Sequence, residues 1–341
     1  MRTLIKISTF FIVSLFSVSM KAQDPDFAQF FSSPLNINPA LTANINSDWR
    51  IISNFRDQWI GPASPFVTGT ISYDQKLFQK KMMDVAEGNR FGFGTMLMYD
   101  RAMAGVAKNT YASLNLSYNV KLSEGDVVNR IGTGFGAIYG RKYVDFEKLD
   151  FEEQFIGDGF NTNLPTGEEA LSNMKAYISL TGGLCYSRTT EKSNIDLGVA
   201  AFHVNNPKQT FLEDENQTIA MRKVAHANLE LYLNKSVILN VNSTYQEQSD
   251  ASYYSIGGAL GYQITTYPNV IFNAGAWYWS KNAITPYLGL NYNDFQFGVS
   301  YDATVSKLTE APRRANSFEF SVILRGIKKF TREGKIPCPW K

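Results

Sequence analysis

The chain has 341 residues, of which 19% are charged and 14% aromatic, with two cysteines and a formal net charge of +2. That length accommodates one large barrel or two ordinary domains. Arg2, Lys6 and Lys21 lie in an amino-terminal stretch without acids, and taking them from the 33 basic residues leaves 30 against 31 acidic, a mature charge of −1. So even a balance excludes a protein that relies on neutralising phosphates, and no nucleic-acid partner is expected.

Residues 1–22 read as a secretory signal: a positive start at Arg2 and Lys6, an apolar core over residues 9–18, and Ala22 before the cut. Export is implied, yet Cys185 falls inside a strand pattern and Cys338 in a proline-flanked tail, so no structural disulfide is expected between them. No later stretch has the length of an apolar membrane helix, which leaves a closed barrel as the one way this exported chain could span a bilayer.

Residues 23–48 carry no clear periodicity. Prolines and asparagines favour turns there, while the aromatic content is too high for a free tail. The segment is expected to pack on something, either as a plug in a barrel mouth or as a docking segment beneath it. Phe27, Gln29, Phe30, Pro34, Leu35, Asn38 and Pro39 are its candidate contact residues. Aromatic and proline side chains offer contact area with little entropy lost on binding.

From Trp49 onward the pattern has period two. Over 109–120, Ala112, Leu114, Leu116, Tyr118 and Val120 alternate with Tyr111, Ser113, Asn115, Ser117 and Asn119, one face apolar and the other small or polar. Fourteen such segments are predicted: 49–56, 66–74, 90–100, 109–120, 130–141, 176–186, 193–203, 223–234, 236–246, 251–262, 269–280, 283–292, 294–302 and 316–325. Most have the nine to twelve residues, roughly, that a tilted strand needs to cross a bilayer, against about five or six in an ordinary globular strand.

The longest connection, 142–175, is the fifth, and those at 204–222 and 303–315 are the seventh and thirteenth, so these three fall on one side of an up-and-down meander. Several even-numbered connections are tight, the asymmetry of outer-membrane barrels; 75–89 is an exception. Tyr73, Tyr99, Tyr118, Tyr139, Tyr278, Trp279, Tyr292 and Tyr301 are expected at the two interfaces with lipid headgroups. The fold expected is therefore all-β: a transmembrane antiparallel barrel of about 14 strands over 49–325. An N-terminal plug or docking segment over 23–48 precedes it, and a periplasmic tail over 326–341 follows.

Chemistry-bearing residues are sparse. His226 falls on the polar face of its strand, where a hydrated lumen histidine is the plain reading and a hydrolase built with a serine and a carboxylate the sharper one. There is no nucleophile-elbow, phosphate-loop or zinc-protease motif. Gly92 and Gly94, and Gly132, Gly134 and Gly136, lie within strands as small inward positions. The loop 145–169 gathers Asp145, Glu147, Asp150, Glu152, Glu153, Asp158, Glu168 and Glu169 without EF-hand spacing, and reads as a solvated loop before a calcium site. No catalytic residue, metal or cofactor is expected.

Gln23-Asp24-Pro25-Asp26-Phe27-Ala28-Gln29-Phe30, followed by Pro34-Leu35-Asn36-Ile37-Asn38-Pro39-Ala40-Leu41, resembles the mature N-terminus of PorP/SprF-type proteins of type IX secretion systems. Further matches are Phe55-Arg56-Asp57-Gln58-Trp59, Ser72-Tyr73-Asp74, Met98-Tyr99-Asp100-Arg101, residues 202–211, Val299-Ser300-Tyr301-Asp302 and Ser317-Phe318-Glu319-Phe320. The resemblance implies an outer-membrane barrel that works with the type IX machinery and its secreted cargo, gliding adhesins among them. It implies no enzyme, no small-molecule substrate and no catalytic residues to carry over. The competing expectation is an outer-membrane transporter for hydrophobic solutes, with the N-terminal segment as a hatch.

Overall fold

The computed structural model describes residues 24–61, 64–78, 88–123, 125–167, 175–209, 217–280, 282–306 and 315–326. The stretch assigned to a signal peptide and the tail beyond 326 lie outside the described residues. Fourteen strands run β1 (Trp49–Ile60), β2 (Phe66–Leu77), β3 (Arg90–Ala102), β4 (Ala107–Lys121), β5 (Val128–Val144), β6 (Tyr177–Thr189), β7 (Ser193–Phe202), β8 (Arg222–Tyr232), β9 (Val237–Gln248), β10 (Ala251–Thr265), β11 (Val270–Trp279), β12 (Ala283–Tyr292), β13 (Phe295–Thr304) and β14 (Asn316–Gly326). Each pairs antiparallel with its neighbours in sequence, and β14 closes on β1 with Arg56 opposite Glu319. All fourteen predicted strands are present. The ends differ by a few residues because several strands continue past the apolar alternation, β5 to seventeen residues and β4 to fifteen.

The outward set includes Leu97, Leu114, Leu116, Phe135, Ile178, Leu180, Leu197, Leu260, Leu288, Phe297 and Phe320, all exposed. A water-soluble monomer rarely bares an apolar patch of more than about 600 Å². A belt carried by strands all round a closed cylinder is a lipid-facing surface, not the wet exterior of a soluble sandwich. No helix among the described residues is long and apolar enough to cross a membrane.

The inward set is polar: Asn54, Arg56, Thr70, Ser72, Asp74, Ser113, Asn115, Ser117, Asn119, His226, Thr244, Asp302 and Glu319 are all buried. Trp279 departs from expectation. It is 9% exposed and faces the lumen with the Arg56 guanidinium 4.8 Å from its ring centre, while adjacent Tyr278 faces out, because neighbouring strand positions point to opposite faces. Cys185 is a buried free thiol in the wall, and Cys338 lies outside the described residues.

Candidate functional site

Residues 24–48 lie inside the cylinder and run its length. Asp24 meets Arg222, Gln248 and His203 at the end where the long connections lie. At the other end the backbone N–H of Asp48 donates to Gly326 O, and its carbonyl accepts from Lys76 N. The segment is more helical than its composition suggested. A single α-helical turn, α1 (Pro34–Ile37), is flanked by 3-10 turns at Phe30–Ser32 and Pro39–Leu41. Pro34 and Pro39 occupy first positions, where the missing N–H costs nothing.

Both flanks of the segment bury apolar side chains. Phe27 and Leu35 pack with Met96, Met98, Tyr111, Tyr177 and Ile219. Phe30 packs with Ile37, Leu41, Phe202, Val224 and Trp277. Phe31, which the sequence did not single out as a contact residue, stacks on Trp277 with ring centres 4.5 Å apart.

The polar contacts account for the backbone of this irregular segment, whose N–H and C=O groups would otherwise be buried without partners. Glu319 accepts from Ala28 N at 2.6 Å and Gln29 N at 2.8 Å, and is paired with Arg56. Arg56 also donates to Asp302 at 2.8 Å, whose other oxygen accepts from Thr285 at 2.7 Å. The Gln29 side chain donates to Ser300 and accepts from Ser321. Asn54 donates to Ser32 O, Arg222 to Asn36 O, and Ser117 to Thr42 O. Asp74 accepts from Ala43 N while a bidentate Arg50 holds it in place. Asn44 donates to Ser187 and Asp196.

Asn38 makes the densest contact. Its Oδ1 accepts from Ala40 N at 2.8 Å and caps the second 3-10 turn; its Nδ2 lies 3.0 Å from Leu184 O and 3.0 Å from His226 Nε2. Gly183 and Gly198 leave room for it: a Cβ on Gly198 would stand 2.8 Å from Asn38 Nδ2, and one on Gly183 would overlap Asn38 Oδ1. Pro39 sits against Gly134. Replacing Asn38 with Ala is expected to destabilise the seated segment by about 1–3 kcal/mol, since it strands the Ala40 N–H and leaves the His226 nitrogen without its partner. The thermal midpoint of the purified barrel in detergent, read by heat-modifiable gel migration, measures it.

His203 leaves β7 with a φ of +56° and brings its ring inward, Nδ1 at 2.8 Å from Ser179 Oγ and Nε2 at 2.8 Å from Asp24 Oδ2. The order serine, imidazole, carboxylate is that of a hydrolase triad. Here Ser179 is 0% exposed, so its hydroxyl faces no space for a substrate, and the chain of bonds serves to moor Asp24. Burial alone would raise the Asp24 carboxyl. Arg222 and the His203 hydrogen bond outweigh it and hold the group below the ordinary carboxylate range. Asp26 has less compensation, and burial raises it despite Arg222. Among the described residues no three histidine, cysteine or acidic side chains converge as metal ligands, and Glu168 and Glu169 of the acidic loop lie outside them.

The segment divides the remaining lumen. At the long-loop end is a cavity of about 670 Å³ floored by Asp24 and Asp26 and walled by Trp59, Phe66, Tyr253 and Trp279. At the short-turn end is one of about 500 Å³ lined by Arg50, Arg90, Arg130, Asp196, Glu230 and Arg325.

Among solved structures, the chain is similar to a deletion variant of TodX, described as a monoaromatic hydrocarbon channel: TM-score 0.51, 9% identity, covering 85% of this chain and 93% of that one. The Pseudomonas putida toluene transporter TodX itself gives a TM-score of 0.48 at 9% identity, over 85% and 92% of the two chains. CdiB from Escherichia coli gives 0.42 at 8% identity, and this chain, matched over 80% of its length, spans 62% of that protein. At 9% identity the first of these likenesses speaks to the barrel fold alone. No curated protein matches the sequence. The family model described as "Type IX secretion system membrane protein PorP/SprF" matches residues 19–324. With a closed, lipid-belted barrel behind that match, the chain belongs to the PorP/SprF family and is an outer-membrane β-barrel of type IX secretion.

Proposed function

We propose that this barrel supports the secretion and surface attachment of type IX cargo, gliding adhesins included, and that residues 23–48 plug it. The observation that carries the plug is the polar seating along the lumen, to which five residues of the motifs that mark the family resemblance contribute: Arg56, Asp74, His203, Asp302 and Glu319. An irregular strap that satisfies its backbone on buried wall groups is a fixed part, not a tail waiting for a partner.

In outer-membrane barrels the short turns face the periplasm. On that rule Asp24 lies at the outer mouth and Asp48 at the inner one, so the mature N-terminus opens toward the cell surface and only residues near Asp48 face the periplasmic machine. Phe27, Gln29, Phe30, Pro34, Leu35, Asn38 and Pro39 are then internal anchors, and the long outer loops are the surface offered to cargo. The reading includes no catalytic step.

The test is deletion of the gene followed by proteomics of the medium and cell surface. Loss of every type IX cargo would mark a core component, and shedding of one large surface protein a dedicated one. An unchanged secreted set with reduced uptake of an apolar solute would favour the transporter reading, for which the aromatic wall of the outer cavity is the supporting observation. Phe30→Ser with Leu35→Ser should lower barrel stability by at least about 5 kcal/mol, the lower ends of the ranges for emptying one phenylalanine and one leucine site taken together. Unchanged stability and unchanged secretion together would dismiss both plug and docking roles.

A further inference from the structure

The outward face of β3, β4 and β5 changes character at the long-loop rim. Toward the middle of the wall it is apolar, with Leu97, Leu114 and Phe135 exposed to lipid. Tyr99 and Tyr139 follow, 46% and 56% exposed, as rings at the edge of the belt. Two residues further along their strands, about 7 Å, stand Arg101 and Arg141, both exposed. Shared parity with the tyrosines keeps them on the outward face, and neither lines the outer cavity.

Register brings these cations together. Arg101 on β3 is opposite Lys108 on β4, and Arg141 on β5 is opposite Thr110, two residues from Lys108. Direct and diagonal neighbours on one face lie within about 5–8 Å of each other. Lys108 leans on the Tyr143 ring, 5.4 Å from its centre, borders the outer cavity and reaches Asp145 at 3.9 Å. Asp145 is nearer to Lys148, at 3.3 Å. Asp57, level with Arg101 across Val67, is an acid whose field reaches that guanidinium. Like charges directly opposite one another destabilise a sheet, so the Arg101–Lys108 pairing carries a cost that an anion between them would offset. On β8, by contrast, outward Lys223 is matched across the ladder by Glu247 on β9, at 3.0 Å.

We propose that Arg101, Lys108 and Arg141 form a docking surface for the phosphate of a phosphorylated glycolipid in the outer leaflet. Depth identifies the partner. The guanidinium groups project from the outer wall one strand step beyond the interfacial rings, where the neighbour is a lipid headgroup. A guanidinium fork takes phosphate oxygens two at a time, and Lys108 adds a point charge between the two forks. The choice of leaflet rests on the reading above that the long connections face the cell surface; the recognition of phosphate does not.

Titration of the full-length protein in detergent with lipid A, and with lipid A stripped of phosphate, tests it, read by native mass spectrometry and thermal midpoint. Saturable retention of the phosphorylated lipid is expected, falling with added salt. Arg101→Gln with Arg141→Gln should weaken it by roughly tenfold or more, through the loss of two charge-assisted contacts. The double variant should still fold, because both side chains stand on the surface. Lys223→Met should bind lipid A as the unaltered protein does. No retention of lipid A, equal retention of the stripped lipid, or equal binding by the double variant would overturn the proposal. Orientation is read separately, by a membrane-impermeant maleimide on intact cells carrying Ile156→Cys and Cys338→Ser, since Ile156 is exposed in the connection after β5 and Cys185 is buried. Labelling supports the outer leaflet, and absence of labelling would overturn that placement whatever the titrations show.

Discussion

Glu319→Ala is expected to be the most damaging single change in the lumen, costing about 3–5 kcal/mol, the range for removing one partner of a buried charge pair. The carboxylate is 2% exposed and serves three donors at once: the backbone of Ala28 and Gln29 and the Arg56 guanidinium. Without it two buried N–H groups lose their acceptor, and Arg56 is left with Asp302 as its ion-pair partner among the described residues. The strands should still pair, since Glu319 contributes its backbone to the β13–β14 and β1–β14 ladders whatever its side chain. The expected result is a barrel that folds and shows heat-modifiable migration with a lowered midpoint, and whose residues near Phe27 become open to protease. Glu319→Gln should fall between the two, because one amide oxygen can accept from part of the set while the amide nitrogen meets Arg56 as a second donor. A midpoint unchanged in Glu319→Ala would show that the strap is held by apolar packing alone.

The barrel was readable because its rule is local. Over Arg90–Ala102 and Ala107–Lys121 a period of two is imposed by the backbone, and lipid on one side with a wet lumen on the other writes that period into residue choice. Lumen chemistry follows a different rule. Arg56 and Glu319 are 263 residues apart and become Cα partners only when β14 closes on β1, so neither could be matched to the other by spacing. The same holds for His203, which reaches Asp24 only because it exits β7 with a left-handed backbone. The contact residues of 23–48 were legible by type, as aromatics, prolines and asparagines in a run too apolar to be free. The wall groups that receive them were mostly not, the inward glycines and His226, which strand parity put on the lumen face, being the exceptions. Trp279 shows how such reasoning errs: closeness to a strand end suggested an interface ring, while parity turned it into the lumen.

Those glycines carry the second large prediction. Gly134, in the middle of β5, faces the strap so closely that a Cβ built on it would fall on the Pro39–Ala40 peptide, with Pro39 O at 2.5 Å. The obstacle is backbone, pinned by the Asn38 cap and its bonds to β6 and β7, so no side-chain rotation relieves it. Gly134→Ala is therefore expected to cost about 1–3 kcal/mol as overpacking. It should also displace residues 38–42 from the wall and so raise single-channel conductance in a planar bilayer above that of the unaltered protein. Gly182→Ala is the matched control. The same chemical change on the neighbouring strand meets nothing within 4 Å, and should leave both stability and conductance where they were or raise stability slightly. If the two variants behaved alike, glycine would be serving these strands through backbone flexibility, and the close seating of Pro39 would have no energetic weight. A loss confined to Gly134→Ala ties the inward glycines of the barrel to the strap, because the outward neighbour shares every property with them except the surface it faces.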